Sequence, residues 1–375
     1  MKTKTLLLFL CTLLTFVSCS KDTEPELDPI TEPAPIPIPE PEPETHSLYF
    51  PPMNSDTWDI ATLESLEWNE SVVAPLYTFL EENNTKAFII LKDGKIVLEQ
   101  YFNGFSASQN HTWNSAAKTL TAFTAGLAQE EGFLSLDAAS NEYMGVGWSS
   151  LTPEQEARIT VKNHLTMTSG LDYTVANNFC TDKECLLYKN EPDTFWYYHN
   201  APYTLMDNII TGAVQQDFKA YFNAKIRDRI GMQGSWIKTG YLNLYFSTAR
   251  SMARFGLLNL NEGTWDETPI MTDKAYFGAM TSTTQELNPA YGYLWWINGK
   301  DNYRVPGSED SFKGKLIPNA PDDLIAGLGA NDQKLYVVPS MGLVIVRMGD
   351  AANNTELGPT SFDCEIWTQI NALME

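Results

Sequence analysis

Histidine is scarce in this 375-residue chain, with only four present, and no G-x-S-x-G turn presents a serine to any of them. A serine activated by histidine at such an elbow is therefore excluded, and His164 and His199 read as structural. Basic residues are also few, 25 against 47 acidic, for a formal net charge of −22. That balance argues against nucleic acid as a partner and favours a soluble, exported protein. Only five cysteines occur, and no second Cys or His pair lies at ligand spacing from Cys180 and Cys185. No metal site and no cofactor are expected on that basis. There is no internal repeat. The apolar run from Leu6 to Val17 is too short to span a bilayer.

That run follows Met1-Lys2-Thr3-Lys4 and precedes Ser18-Cys19, which makes residues 1–18 a secretory signal peptide. Phe16-Val17-Ser18-Cys19 resembles a bacterial lipobox with Cys19 as the lipid-bearing N-terminus, although Phe16 stands where leucine is usual. Residues 19–46 alternate proline with acid, as in Glu40-Pro41-Glu42-Pro43. Such a stretch cannot bury a core and is expected to be a semi-rigid polyproline spacer from a lipid anchor. The expected location is the periplasm or the outer-membrane surface of a bacterium, with the membrane met through lipid alone. Residues 47–375 make up the folded part. Export permits a disulfide between Cys180 and Cys185, which is the expectation, with free thiols or half a zinc site as alternatives. Cys364 is expected as a small buried hydrophobe on the last helix.

Two β-rich runs, Ala87–Leu91 and Lys95–Glu99, meet through Asp93-Gly94, a hairpin signal. A second hairpin joins Leu335–Pro339 to Leu343–Arg347 around Ser340-Met341-Gly342. Between them the chain reads as helix or loop, with helices near 217–230 and 248–260, and a last helix near 362–374. The expected class is α+β. One antiparallel sheet built from the N- and C-terminal segments is flanked by helices, with an inserted, mainly helical lobe and a cleft between the two.

Near the start of the folded part lies Ser115-Ala116-Ala117-Lys118, followed by Leu120, Phe123 and Leu127 at helical spacing and Gly132 at the expected stop. A hydroxyl and an amine three apart share one face and lie within reach of each other. Tyr198-His199-Asn200 and Gly327-Leu328-Gly329-Ala330 follow in order, with His164-Leu165-Thr166-Met167-Thr168-Ser169-Gly170 preceding them. Ser247-Thr248-Ala249-Arg250 and Tyr291-Gly292-Tyr293 lie between. Together these motifs resemble the serine β-lactamase and D-Ala-D-Ala peptidase superfamily, in particular its class C and esterase-like branch. The resemblance runs from about Ala87 to Gly349.

It implies Ser115 as nucleophile, Lys118 and Tyr198 as the proton-transfer pair, and Asn200 as the group that holds Lys118 and the substrate. Tyr198 is expected to ionise more easily beside the ammonium. Gly329 and the backbone N–H of Ala330 would serve the substrate side, the latter with Ser115 as an oxyanion hole. The family commonly carries Lys or His where Gly327 stands, so the group that meets a substrate carboxylate is missing. Arg347 or Lys334 would have to reach in to replace it. The expected activity is hydrolysis of an ester or amide, peptide or small molecule, through an acyl-enzyme. The alternative is a non-catalytic or acylation-only penicillin-recognising surface lipoprotein.

Overall fold

The computed structural model describes residues 48–352 and 358–375. The signal peptide, the lipidation site at Cys19 and the spacer lie outside the described residues. In chain order the principal elements are α1 (Val73–Glu82), β1 (Thr85–Lys92), β2 (Lys95–Tyr101), β3 (His111–Thr112) and α2 (Lys118–Glu130). Then come α3 (Asn200–Val214), α4 (Phe218–Lys225), β4 (Ser235–Thr239), β5 (Leu242–Ser247) and α5 (Ala249–Leu260). Last are β6 (Trp296–Ile297), β7 (Ile325–Gly329), β8 (Gln333–Val338), β9 (Leu343–Gly349) and α6 (Ser361–Met374).

The main sheet runs β2-β1-β9-β8-β7-β6 and is antiparallel throughout. The N-terminal hairpin therefore meets the C-terminal strands directly, with Ile89 opposite Val346. Asp93 and Gly94 both take positive φ, 49° and 84°, as the tight turn of this hairpin requires. Helices cover both faces, so β8 and β9 are buried along their whole length, and their apolar residues run on without alternation apart from the buried Gln333, Lys334 and Arg347. Close approach of α5 depends on Gly256: a Cβ there would lie 2.4 Å from Val344 Cγ1. Thr248 caps α5 by accepting from the Ser251 N–H.

Two features depart from the sequence reading. The helix expected over 217–230 stops at Lys225, because Ile226 leaves helical backbone (φ −124°), and both Ile226 and Ile230 are fully buried. The middle segment also contains a small sheet, β3-β5-β4. In β5, Asn243, Tyr245 and Ser247 are buried on alternate positions, a period-2 pattern carried by mixed residues and so missed. The intervening helical segment contributes a minor apolar cluster of Ile159, Leu171, Leu186, Ala201 and Leu205 beside the main core.

Candidate active site

The small sheet positions the first site residues. Pairing of His111 with Ser247 and Thr112 with Phe246 brings Trp113 inside, where its indole N–H donates to Ser247 Oγ at 2.7 Å. The chain then turns through Asn114, whose φ is +46°, into a 3-10 turn over Asn114–Ala117. Ser115 is in this tight turn rather than in the α-helix, and Lys118 is the first residue of α2. In 3-10 geometry residues i and i+3 eclipse, so the Ser115–Lys118 spacing brings the two groups face to face. Lys118 Nζ donates to Ser115 Oγ at 3.0 Å.

Residues 118–128 of α2 are all buried, so Lys118 points into packed protein and is 3% exposed. Its Nζ also donates to Asn200 Oδ1 at 3.0 Å, and it lies 4.1 Å from the centre of the Tyr203 ring and 5.0 Å from that of Tyr198. These neighbours supply no carboxylate. Burial alone lowers its pKa from 10.5 to about 7. A large fraction of Lys118 is thus neutral at neutral pH, as a proton acceptor for Ser115 must be.

Tyr198 is buried, stacked on Trp296 at 5.9 Å, with its hydroxyl turned to Ser115. Burial raises its pKa, and the Ser115 contact offsets this only in part. The expectation that Tyr198 ionises more easily beside Lys118 is corrected here. Desolvation outweighs the neighbouring amine, so the phenol stays protonated and Lys118 is the group poised near neutrality. Asn200 begins α3, whose first turn is held from outside. The Ala201 N–H donates to the carbonyl of Asn178 at 2.9 Å, and Asn178 stands just before the Cys180–Cys185 disulfide. The disulfide is present as expected. His164 Nδ1 donates to the Pro202 carbonyl (2.8 Å) and its Nε2 meets Ser140 Oγ (2.9 Å), bracing the same turn. Burial depresses His164 and His199 to about 4, so both rings are neutral.

Replacing Cys180 and Cys185 together by serine is expected to cost about 2 kcal/mol of stability, since the closed loop is short. Hydrolytic turnover should fall further than stability accounts for, because Asn178 loses its register on α3. A variant with parent kcat would show that the loop does not position Asn200.

The third motif differs from expectation in placement. Gly327 and Gly329 share one face of β7 and turn it toward the Ser115 turn, not toward open cleft. A Cβ at Gly329 would lie 2.3 Å from the Trp113 carbonyl oxygen, and one at Gly327 3.2 Å from Thr119 Cγ2 and 3.3 Å from the Ala116 carbonyl oxygen. A lysine at 327 would have to displace Thr119 rather than meet substrate. Only Ala330 of this stretch reaches the cleft. Its carbonyl accepts from Asn114 Nδ2 at 2.7 Å, which ties the end of β7 to the Ser115 turn.

The cleft has a volume of about 170 Å³ and is lined by Ser115, Tyr198, Asn200 and Ala330 with Asn178, Phe179, Pro306, Gly307 and Gly358. None of these carries a charge. Neither proposed replacement cation reaches it. Lys334 is wholly buried between Asp363 (2.7 Å) and Asp332 (3.2 Å). Arg347 spends its guanidinium on Thr85 Oγ1 and the carbonyls of Asn83, Asn331, Asp332 and Asp350. Both expectations are overturned, because a cation inside a sheet must be paired where it lies.

The family described as Beta-lactamase matches residues 83–358. The chain belongs to the beta-lactamase family. Its fold is that of this group of serine hydrolases, and solved structures agree. A Bacillus anthracis protein described as a 6-aminohexanoate-dimer hydrolase is 19% identical, with a TM-score of 0.63 over 84% of this chain and 86% of that one. A Bacteroides dorei protein described as a beta-lactamase is 12% identical, with a TM-score of 0.65 over 82% and 99%. A penicillin-binding protein from Bacillus halodurans is 15% identical, with a TM-score of 0.58 over 80% and 99%. No curated protein matches the chain significantly.

In this family member, Tyr203, Asn114 and the wall of Asn178, Phe179, Pro306, Gly307 and Gly358 were not among the site residues read from the sequence. Tyr203 offers its ring face to Lys118, a signal available from its i+3 spacing on Asn200 within one helix. Asn114 and the Pro306-Gly307 wall carried no local signal, since their roles depend on β7 and on the chain beyond β6.

Proposed function

We propose that this protein hydrolyses neutral carboxylic esters through an acyl-enzyme on Ser115. The observation that carries the reading is the buried, carboxylate-free Lys118 held 3.0 Å from Ser115 Oγ and lowered to about 7. Neutral Lys118 takes the hydroxyl proton as Oγ attacks the ester carbonyl carbon. The N–H groups of Ser115 and Ala330 receive the developing oxyanion. As the bond from carbon to the leaving oxygen breaks, the proton returns through Lys118 and Tyr198, and the alcohol departs. Water then attacks the acyl-Ser115 carbonyl, giving its proton to Lys118, and the carboxylic acid leaves as Ser115 is restored. Asn200 holds Lys118 in place through both halves. A lipid on Cys19 would keep this activity at a membrane surface, and Cys19→Ala should release the protein to the soluble fraction.

The preference for neutral esters follows from a cleft whose described lining residues include no cation to meet a carboxylate. A charge-assisted hydrogen bond is worth roughly 1.5–3 kcal/mol, so its lack should cost carboxylate substrates about one to two orders of magnitude. Neutral p-nitrophenyl esters should therefore exceed nitrocefin and D-Ala-D-Ala peptides in kcat/KM by that margin. Acylation should climb as pH rises through about 7, where Lys118 loses its proton. Nitrocefin turnover equal to ester turnover, or a rate flat from pH 5.5 to 8.5, would overturn the reading.

A further inference from the structure

Beyond the cleft lies a second and larger cavity, about 470 Å³ against about 170 Å³. The two are neighbours through shared wall. Pro306 lines both, and Gly358 lines the cleft while the next residue, Pro359, lines the second cavity. Gly358 packs on Pro306 so closely that a Cβ would lie 3.0 Å from its Cδ. With φ at +82°, residue 358 also favours glycine on backbone grounds. No side chain stands on the divide from that position.

The larger cavity is apolar. Val305, Phe312, Leu316, Pro318, Pro359 and Cys364 line it, and none of the described residues in its wall is charged. Tyr303, Thr360 and Ser361 complete the wall, and Thr360 turns its hydroxyl inward to Asp332 Oδ1 at 2.8 Å. Phe312 is 39% exposed although it stacks on Tyr303 at 5.6 Å, so a large ring faces water beside the cleft. Cys364 is half-buried here, not fully buried as its helix pattern suggested. A contiguous apolar surface of this kind marks a binding site more often than an idle surface.

We propose that this groove takes the apolar arm of the ester substrate, an alkyl or aryl chain that leaves the cleft over Gly358 and Pro306. The inference rests on the reading of Ser115 as a nucleophile toward neutral esters, and it adds the substrate class: esters with one long hydrophobic arm. A short cleft holds the scissile group, and the groove beyond holds the chain. Each methylene that enters should raise kcat/KM roughly fourfold until the groove is full.

The test uses the full chain and two ester series. One lengthens the acyl group of p-nitrophenyl esters from two to eight carbons, and the other lengthens the alcohol of acetate esters over the same range. Rates should climb at least tenfold in one series, which tells whether the arm is acyl or alcohol. Phe312→Asp, at an exposed position, and Cys364→Trp, which fills the groove, should each flatten the climb and leave the shortest ester unchanged. A flat response in both series, or a climb that neither variant alters, overturns the groove while leaving the hydrolase reading intact. Alkyl fluorophosphonates of the same lengths separate the two ideas further. If they label Ser115 faster with length but no ester turns over, the groove stands and the ester reading falls. No labelling at any length overturns both.

Discussion

Ser115→Ala and Lys118→Met are each expected to lower kcat for a neutral ester by at least about 10⁴-fold, and the double variant should be within tenfold of either single one. The non-additivity follows from geometry. Lys118 Nζ has Ser115 Oγ and Asn200 Oδ1 as its hydrogen-bond partners, so removing the hydroxyl leaves the amine without its task. The two variants should differ in stability. Ser115→Ala should fold at close to parent stability, because the 3-10 turn is set by its backbone and by Asn114. Lys118→Met should raise Tm. Moving a lysine from 10.5 to about 7 corresponds to roughly 3–5 kcal/mol of unfavourable burial near pH 7. Losing the Asn200 hydrogen bond gives back about 1–3 kcal/mol of that. The sign with pH is fixed: between about 7 and 10.5 the unfolded chain holds the proton that folded Lys118 has lost. Parent stability therefore rises with pH across that window, and the methionine variant should lack the slope. A lowered Tm would mean that Lys118 is charged and structurally paired. Multiplying losses in kcat would mean that it only packs.

The second large effect lies behind the cleft. Lys334→Met should destabilise the protein by about 3–5 kcal/mol in chemical denaturation, because it strands Asp332 and Asp363, each side chain 1% exposed. Lys334 also donates to the Gly358 carbonyl at 3.3 Å, so the cleft wall should loosen and ester kcat should fall modestly. Were Lys334 instead the missing carboxylate-binding group, the variant would keep its stability and raise KM for nitrocefin alone. Unchanged denaturation together with that KM shift would restore the cation to the site.

Local devices were legible in the residues themselves. Asp93-Gly94 sets its hairpin because a two-residue turn demands positive φ, and those residue types tolerate it. Thr248 and Asp217 begin helices by capping, which needs only the next turn of backbone. Ser115 and Lys118 meet across a single turn, so their contact follows from spacing alone. Membership of the sheet by both chain ends was readable from where the apolar runs fall.

What distance in sequence separates, only the tertiary structure decided. Asn200 reaches Lys118 from 82 residues away, and Asn114 reaches the Ala330 carbonyl from 216. The acidity of Lys118 and the protonation of Tyr198 arise from desolvation by side chains drawn from all over the domain, which no window of sequence contains. The same is true of charge. Lys334 and Arg347 look in the sequence like cations free to meet a substrate, yet each is consumed by buried oxygens that the sheet brings to it. Gly327 faces the Ser115 turn because strand pairing orients β7, and that orientation is a property of the assembled sheet. Short-range sterics and spacing are written residue by residue; burial, pairing and facing exist only once the chain has closed on itself.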